Sequence, residues 1–421
     1  MSHKVVIVGG GAGGLELAVK LGRAHGPSEI LLVDRAVFHV WKPTLHEVAA
    51  GTLDPHREGL SYPQLSRRHG FSFMLGKLGG IDVGARTITL EPMADEDGAP
   101  LLPERQLGYE KLVLAIGSGS NLFDTPGAEH AYVLENVDDA QRFRMRFLAA
   151  SMRAAYTPEK VLNLAIVGGG ATGVELSAEL IEAHRELKPY FGVVAPELKL
   201  TLIEAAPRIL GQLDARISDE AAAALRSQGI TVMTGAKVLQ VSEAAIETSQ
   251  GIVPAELVVW AAGVKAAPGN AGYGLEVNRL NQFVVDKFLR TSDANVYALG
   301  DCAACPWGEG RTVPPRAQAA HQQAAYLATV LEAKLAGKPI KTSYAYKDFG
   351  SLVSVGHRHA VGDVAPAPGR RSLFVAGLIA KMMYLSLQFA HQRAVLGFFQ
   401  AILLRLSIAL QRRVSGRLKL H

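Results

Sequence analysis

The chain of 421 residues is 48% apolar, carries a formal net charge of +5 and contains two cysteines, Cys302 and Cys305. That length and composition allow a substantial core divided among two or three domains, whereas two thiols exclude a disulfide framework and a four-thiolate zinc or iron–sulfur centre within one chain. After Asp363 no residue is acidic while nine are basic, from Arg370 and Arg371 to Arg417 and Lys419, so the basicity belongs to the tail and the remainder is net acidic.

No signal peptide precedes the first apolar run, and the chain is expected in the cytoplasm. Val5-Val6-Ile7-Val8 leads into Gly9-Gly10-Gly11-Ala12-Gly13-Gly14 and then into a helical pattern with Leu15, Ala18, Val19 and Gly22. In the spacing GxGxxG, Gly9 permits a tight turn, Gly11 lets a pyrophosphate approach the backbone, and Gly14 lets helix and strand pack closely. The helix N-terminus offers unpaired amides to the phosphates. A second apolar run, Glu29 to Val33, ends at Asp34, whose carboxylate can accept hydrogen bonds from a ribose diol. Glycine turns also join strands to helices for purely structural reasons. It is the ordered set of strand, glycines, helix, strand and terminal acid that points to a dinucleotide.

The same set recurs. Val161 to Val167 leads into Gly168, Gly170 and Gly173, then a helix with Val174, Leu176 and Leu180, then a strand from Leu198 to Ile203 that ends at Glu204. Two fingerprints imply two dinucleotides and chemistry that passes from one to the other. The expected fold is α/β with two Rossmann-like dinucleotide-binding domains. A carboxylate at Glu204 favours a free 2′-hydroxyl and repels a 2′-phosphate, so NADH is expected over NADPH. Arg208, four residues on, can favour phosphate but is read as a surface arginine. Cys302 and Cys305 have redox spacing, yet nothing near them lowers a thiol pKa, and semi-buried thiols are expected rather than a dithiol relay.

Three further runs carry a family resemblance: Tyr109 to Ser118, Leu257 to Gly263, and Asn295 to Asp301. In this order they resemble the two-dinucleotide-binding-domain flavoproteins, in which the first fingerprint holds FAD and an inserted second one holds NAD(P)H. The resemblance implies an FAD-binding domain in two segments, 1–120 and 265–340, around an NADH-binding domain at 121–264. It implies FAD contacts from Gly9, Gly11, Ala12, Gly13, Gly14, Asp34, Arg35, Lys42, Gly117, Gly300, Asp301, Ala317 and Gln318, and NADH contacts from Gly168, Gly170, Gly173, Glu204 and Gly263. Asp301 stands where the family's aspartate meets the ribityl chain; a helix cap is the other role open to it. Asp34 departs from the family habit, which has a longer glutamate there.

After Pro314-Pro315, the segment Ala317-Gln318-Ala319-Ala320-His321-Gln322 resembles the AQxAxQ signature of type II NADH dehydrogenases. Gln318 and Gln322, four apart, share one helix face. Their amides can bond quinone carbonyls while the helix N-terminus stabilises negative charge on a reduced flavin; an ordinary surface helix is the alternative. Trp41 to Gly51 resembles the family's segment beside the isoalloxazine, with His46 either a proton donor to a quinol or a structural histidine. Lys381 and Tyr384 fall where the family places a residue against flavin and quinone. Glu175 resembles a glutamate held near the nicotinamide, or else is a first-turn carboxylate that stabilises its helix.

The last part, 341–421, is expected to hold C-terminal strands and membrane-anchoring helices, and from Leu378 onward it resembles the membrane-binding end of bacterial members. Leu396, Phe399, Leu403, Leu406 and Leu410 recur at helical intervals and align on one face. The longest uncharged stretch nearby, Ala394 to Leu404, is about half of the ~20 residues a spanning helix needs. Amphipathic helices lying in the interface at the cytoplasmic face of the cell membrane are therefore expected, with arginines toward anionic headgroups. Nucleic acid is not expected, because apolar runs separate the charges. A homodimer contact is the rival use of this face.

The sequence thus leads to a peripheral NADH:quinone oxidoreductase that passes two electrons from NADH through FAD to ubiquinone or menaquinone without pumping protons and without a metal. Rivals are a soluble NADH-dependent reductase of another acceptor, a sulfide:quinone oxidoreductase, which needs separated redox cysteines, and a redox-sensing flavoprotein. Residues 35–55 contain no cysteine, which argues against a disulfide reductase.

Overall fold

The computed structural model describes residues 2–95, 97–308, 310–340, 342–365, 372–415 and 418. Arg370, Arg371, Arg417 and Lys419 of the basic tail lie outside the described residues.

The chain opens with β1 (Ser2–Val8), α1 (Ala12–His25) and β2 (Ile30–Asp34), followed by a short helix α2 (Leu45–Ala50). Val5, Val6 and Ile7 are fully buried, as befits a parallel strand covered on both faces. Gly9 turns at φ +102°, and a Cβ at Gly14 would run into the Gly9 carbonyl, so strand and helix can approach only through glycine. β3 (Ser72–Leu75), β4 (Leu78–Asp82), β5 (Thr87–Leu90) and β6 (Arg105–Leu114) complete a sheet ordered β3-β2-β1-β6-β5-β4. The first half of β6 pairs antiparallel with β5 and its last residues pair parallel with a strand that returns much later.

β7 (Gly119–Ser120) leaves this sheet for the second unit, made of α3 (Val137–Ala155), β8 (Val161–Val167), α4 (Ala171–Phe191), β9 (Glu197–Glu204), α5 (Ala215–Ser227), β10 (Thr231–Thr234) and β11 (Leu257–Trp260). Its strands run parallel in the order β10-β9-β8-β11. The glycine turn is repeated: Gly168 has φ +110°, and a Cβ at Gly173 would run into the Gly168 carbonyl. β12 (Val264–Lys265) then pairs antiparallel with β7, so the chain leaves and re-enters the first unit side by side. β13 (Val296–Ala298) joins β6, and α6 (Ala317–Leu335) packs on α1.

An antiparallel sheet of β14 (Gly350–Ser354), β15 (Ala360–Val364) and β16 (Leu373–Ala376) carries α7 (Gly377–Leu396), and α8 (Phe398–Ser415) follows. Here one expectation is corrected. Gly397, at φ +90°, ends α7, so Leu396 belongs to the preceding helix and packs toward the core. Phe399, Leu403, Leu406 and Leu410 do share an exposed face of α8. Among the described residues no helix is long and apolar enough to cross a membrane.

Candidate active site

A cleft of about 1430 Å³ runs along the C-terminal ends of the parallel strands of both sheets, where ligands of open α/β sheets bind. Its wall holds Gly11, Ala12, Gly13 and Gly14 from one glycine loop, Gly168 and Gly170 from the other, and Gly117, Gly300, Asp301, Ala317 and Gln318 between them. The helices α1, α4 and α6 all start at this wall, after Gly11, Gly170 and Arg316, and none has a side-chain cap. By contrast, Asn136 caps α3 and Asp214 caps α5. Uncapped first turns leave orphan N–H groups and the positive end of the helix dipole for an anionic ligand. A Cβ at Gly11 or Gly170 would meet nothing within 4 Å, so the backbone there is open to close approach. Two dinucleotides, FAD and NADH, fit this wall.

The two strand-end acids share one local device. Asp34 accepts from the Gly10 N–H at 2.5 Å and the Ala36 N–H at 2.8 Å. Glu204 accepts from the Gly169 N–H at 2.6 Å and the Ala206 N–H at 2.7 Å. Each carboxylate ties its glycine loop to the strand end and still has lone pairs for a ribose diol. Burial pushes the Asp34 carboxyl up, against the pull of those amides. Glu204 and Gly263 line the cleft; Asp34 and Arg35 stand off its wall, and Gly9 and Gly173 lie behind it in the turns. Arg208 is not the surface arginine expected from sequence. It is half-buried, lines the cleft, and donates through Nη2 to the Gly211 carbonyl at 2.9 Å.

Four residues expected in separate roles converge where the two halves meet. Glu175, in the first turns of α4, is buried; Oε1 accepts from the Ser354 N–H at 3.0 Å and Oε2 lies 3.6 Å from His46 Nδ1. Lys381 Nζ donates to Ser354 Oγ at 2.6 Å. Burial holds the Glu175 carboxyl above its ordinary range, against His46, the Ser354 amide, Tyr384 and Lys381, which favour its charge. Burial and the neighbouring carboxylate push the Tyr384 phenol well up. His46, Glu175 and Tyr384 line the cleft, while Lys381 stands one layer behind them. Nearby, Lys42 Nζ donates to the Ser118 carbonyl at 2.8 Å, and the Ser118 hydroxyl to Asp301 Oδ2 at 3.2 Å.

The two glutamines part company. Gln318 lines the cleft, donating to the Gly350 carbonyl at 2.9 Å and accepting from the Phe349 N–H at 3.3 Å. Gln322 does not reach the cleft: its amide donates to the Lys347 carbonyl at 2.8 Å and accepts from the Lys347 N–H at 3.0 Å. The i, i+4 spacing gave the right helix face, but four residues farther from the helix start, by about 6 Å, that face meets the incoming main chain of residue 347 instead of the cleft. Both cysteines are buried, and burial pushes each thiol up to about 12, so they stay protonated and form no relay.

Sequence reasoning missed a buried histidine pair. His39 Nδ1 lies 3.0 Å from the Gly10 carbonyl and therefore carries the proton, which leaves Nε2 to accept from His391 Nε2–H at 2.9 Å. The Tyr62 hydroxyl donates to the same carbonyl at 2.7 Å, and Trp41 stacks on His391. Burial lowers His39 to about 4 and His391 well below its ordinary range. No local pattern announces two histidines that meet from opposite ends of the chain.

The model of the pyridine nucleotide-disulphide oxidoreductase family matches residues 3–324. A type II NADH:quinone oxidoreductase of Haemophilus influenzae is 39% identical, with 99% of each chain covered. The type II NADH:quinone oxidoreductase Ndh of Mycobacterium tuberculosis is 32% identical over 91% of this chain and 84% of its own. In fold the chain is similar to NDH2 from Plasmodium falciparum in complex with NADH, with a TM-score of 0.81, 20% identity and 99% of both chains covered. A doubled glycine loop with its strand-end acids, set in one cleft and joined to relatives aligned along the whole chain, leaves one assignment: the chain belongs to the pyridine nucleotide-disulphide oxidoreductases and, among them, to the type II NADH:quinone oxidoreductases.

Proposed function

We propose that this protein is a peripheral membrane flavoenzyme that oxidises NADH at the second glycine loop and reduces ubiquinone or menaquinone on the other side of the flavin, without moving protons across the bilayer. One observation carries the reading: two glycine loops and three uncapped helix starts share a single cleft, with a buried carboxylate network at their junction. Bound FAD supplies a hydride acceptor that is also a two-electron donor. Gly9, Gly11, Ala12, Gly13 and Gly14, with Asp34, Arg35 and Lys42, hold its adenosine and phosphates, and Gly117, Gly300, Asp301, Ala317 and Gln318 flank its ribityl chain and ring. Gly168, Gly170, Gly173, Glu204 and Gly263 hold NADH. The division 1–120 and 265–340 for FAD, 121–264 for NADH and 341–421 for the membrane follows from these roles.

The hydride step asks mainly for orientation, which Glu204 supplies by fixing the ribose. Quinone reduction also consumes protons. Glu175, whose carboxyl burial keeps prone to protonation, holds one beside the cleft, with His46 and Tyr384 on the same wall and Lys381 behind. Gln318 meets the acceptor directly, and Gln322 acts through the segment before β14 that it clamps at Lys347. The exposed Leu378, Ile379, Met382, Phe399, Leu403 and Leu406, with Arg393 and Arg413, form an apolar and basic face suited to the cytoplasmic leaflet. A second copy of the chain is the other occupant that face suits.

This face disfavours a soluble reductase, and the protonated thiols disfavour a sulfide:quinone oxidoreductase. Stopped-flow reduction of the bound flavin by NADH, followed by mixing with a short-chain quinone, tests the scheme. Gln318→Ala should slow only the second phase; two unchanged phases would remove the start of α6 as the acceptor site.

A further inference from the structure

Phe123 is an apolar residue placed where few are tolerated. It lines the cleft with 59% of its surface exposed, and both it and Asp124 have φ +52°, in the left-handed region that side chains other than glycine rarely adopt. The conformation is held from several sides. The Phe123 N–H donates to Asn121 Oδ1 at 3.1 Å, the Asn121 N–H donates to the Gly263 carbonyl at 3.4 Å, and Trp260 Nε1–H donates to the Asn121 carbonyl at 2.9 Å. Backbone strain that is over-determined in this way gathers at ligand clamps. One edge of the ring packs on Gly263, where a Cβ would come within 2.6 Å of Phe123 Cζ, and the other side faces the cleft.

Topology says which part of a dinucleotide passes there. In the order β10-β9-β8-β11 the adenosine lies at the end of β9, by Glu204, and the chain of the dinucleotide crosses β8 toward β11. Gly263 follows the end of β11, at the nicotinamide end. Phe123 also lies just past β7, which leaves the flavin side at Gly117 and Ser118. The ring therefore sits where nicotinamide and flavin must meet.

We infer that Phe123 is a positioning residue whose open ring face stacks on the nicotinamide of the bound coenzyme. An exposed aromatic plane matches a planar heteroaromatic ring, and the negative face of the phenyl quadrupole favours the cationic nicotinamide of NAD+. The role rests on NADH occupying the second glycine loop, and it goes beyond that assignment by naming what fixes the reacting ring.

The test measures binding of NAD+ and of ADP-ribose, which has no nicotinamide, to the oxidised FAD-loaded enzyme by titration calorimetry. Phe123→Ala should weaken NAD+ by about five- to tenfold and leave ADP-ribose unchanged, and Phe123→Tyr should restore NAD+. Equal weakening of both ligands, or of neither, overturns the role. Glu204→Ala serves as the separate check on the cleft: it should weaken both ligands, and if it weakens neither, the NADH assignment itself falls. Retained flavin absorbance and thermal midpoint show that a variant is folded; where the alanine variant loses FAD, Phe123→Leu, which keeps bulk without a plane, gives the same comparison.

Discussion

Glu175 is held in a place that opposes its charge. Its carboxyl pKa is raised by burial, so its contribution to stability is greatest at low pH and is lost as pH rises through the folded-state value. Glu175→Gln should therefore raise the thermal midpoint at neutral and alkaline pH, with the gain closing as the solution is acidified. The same variant should slow quinone reduction and spare flavin reduction by NADH in stopped flow. The histidine pair has the opposite sign. With His39 and His391 lowered by burial, their contribution is present above 6.5 and is lost as pH falls toward about 4. Thermal midpoints measured through that window should fall steeply in the wild type and less steeply in His391→Phe, which keeps the ring against Trp41 but cannot be protonated. In the proposed NADH pocket, Glu204 and Arg208 line one wall with opposite charges. Glu204→Gln removes the repulsion of a 2′-phosphate and leaves the guanidinium, so the ratio of kcat/KM for NADH over NADPH should fall by roughly tenfold or more.

Among the elements, the two strand–glycine–helix turns do the same job for different ligands, so the same substitution in each should have separable results. Gly14→Ala drives a Cβ into the Gly9 carbonyl and should yield protein without bound flavin, seen in its absorbance. Gly173→Ala makes the same clash at Gly168 and should keep its colour while NADH no longer bleaches it. These turns were legible in the sequence because every part of them is local: an apolar strand, glycines at fixed offsets, and an acid at the next strand end. The convergence of Glu175, His46, Tyr384 and Lys381 was visible only residue by residue, since their contacts cross the whole chain. Periodicity located the face of α6 but not its depth, which misplaced Gln322, and it read through the break at Gly397, which misplaced Leu396. Arg208 looked superficial because sequence does not show that the loop after β9 folds back over the cleft.

For the whole molecule, the cleft and the apolar face of α7 and α8 are separable parts joined by the α7 contacts with β14 and β15. If the proposed membrane seating of this face holds, replacing the exposed Phe399, Leu403 and Leu406 together with glutamate forfeits about 1.5–3 kcal/mol of apolar burial in the bilayer per residue and adds charge that anionic headgroups repel. The variant should no longer sediment with vesicles containing phosphatidylglycerol, while flavin reduction by NADH stays as in the parent enzyme. Vesicle binding left intact would transfer that face to contacts between copies of the chain.

The paired strands β7 and β12 carry a mechanical consequence. Segment 121–263 is joined to the rest of the chain by two rails lying next to each other, Gly119 with Lys265 and Ser120 with Val264, and its helices α3 and α4 share one hydrophobic core with α2 and β14. The two glycine loops therefore face each other across a gap set by side-chain packing in that shared core, and not by the crossing strands alone.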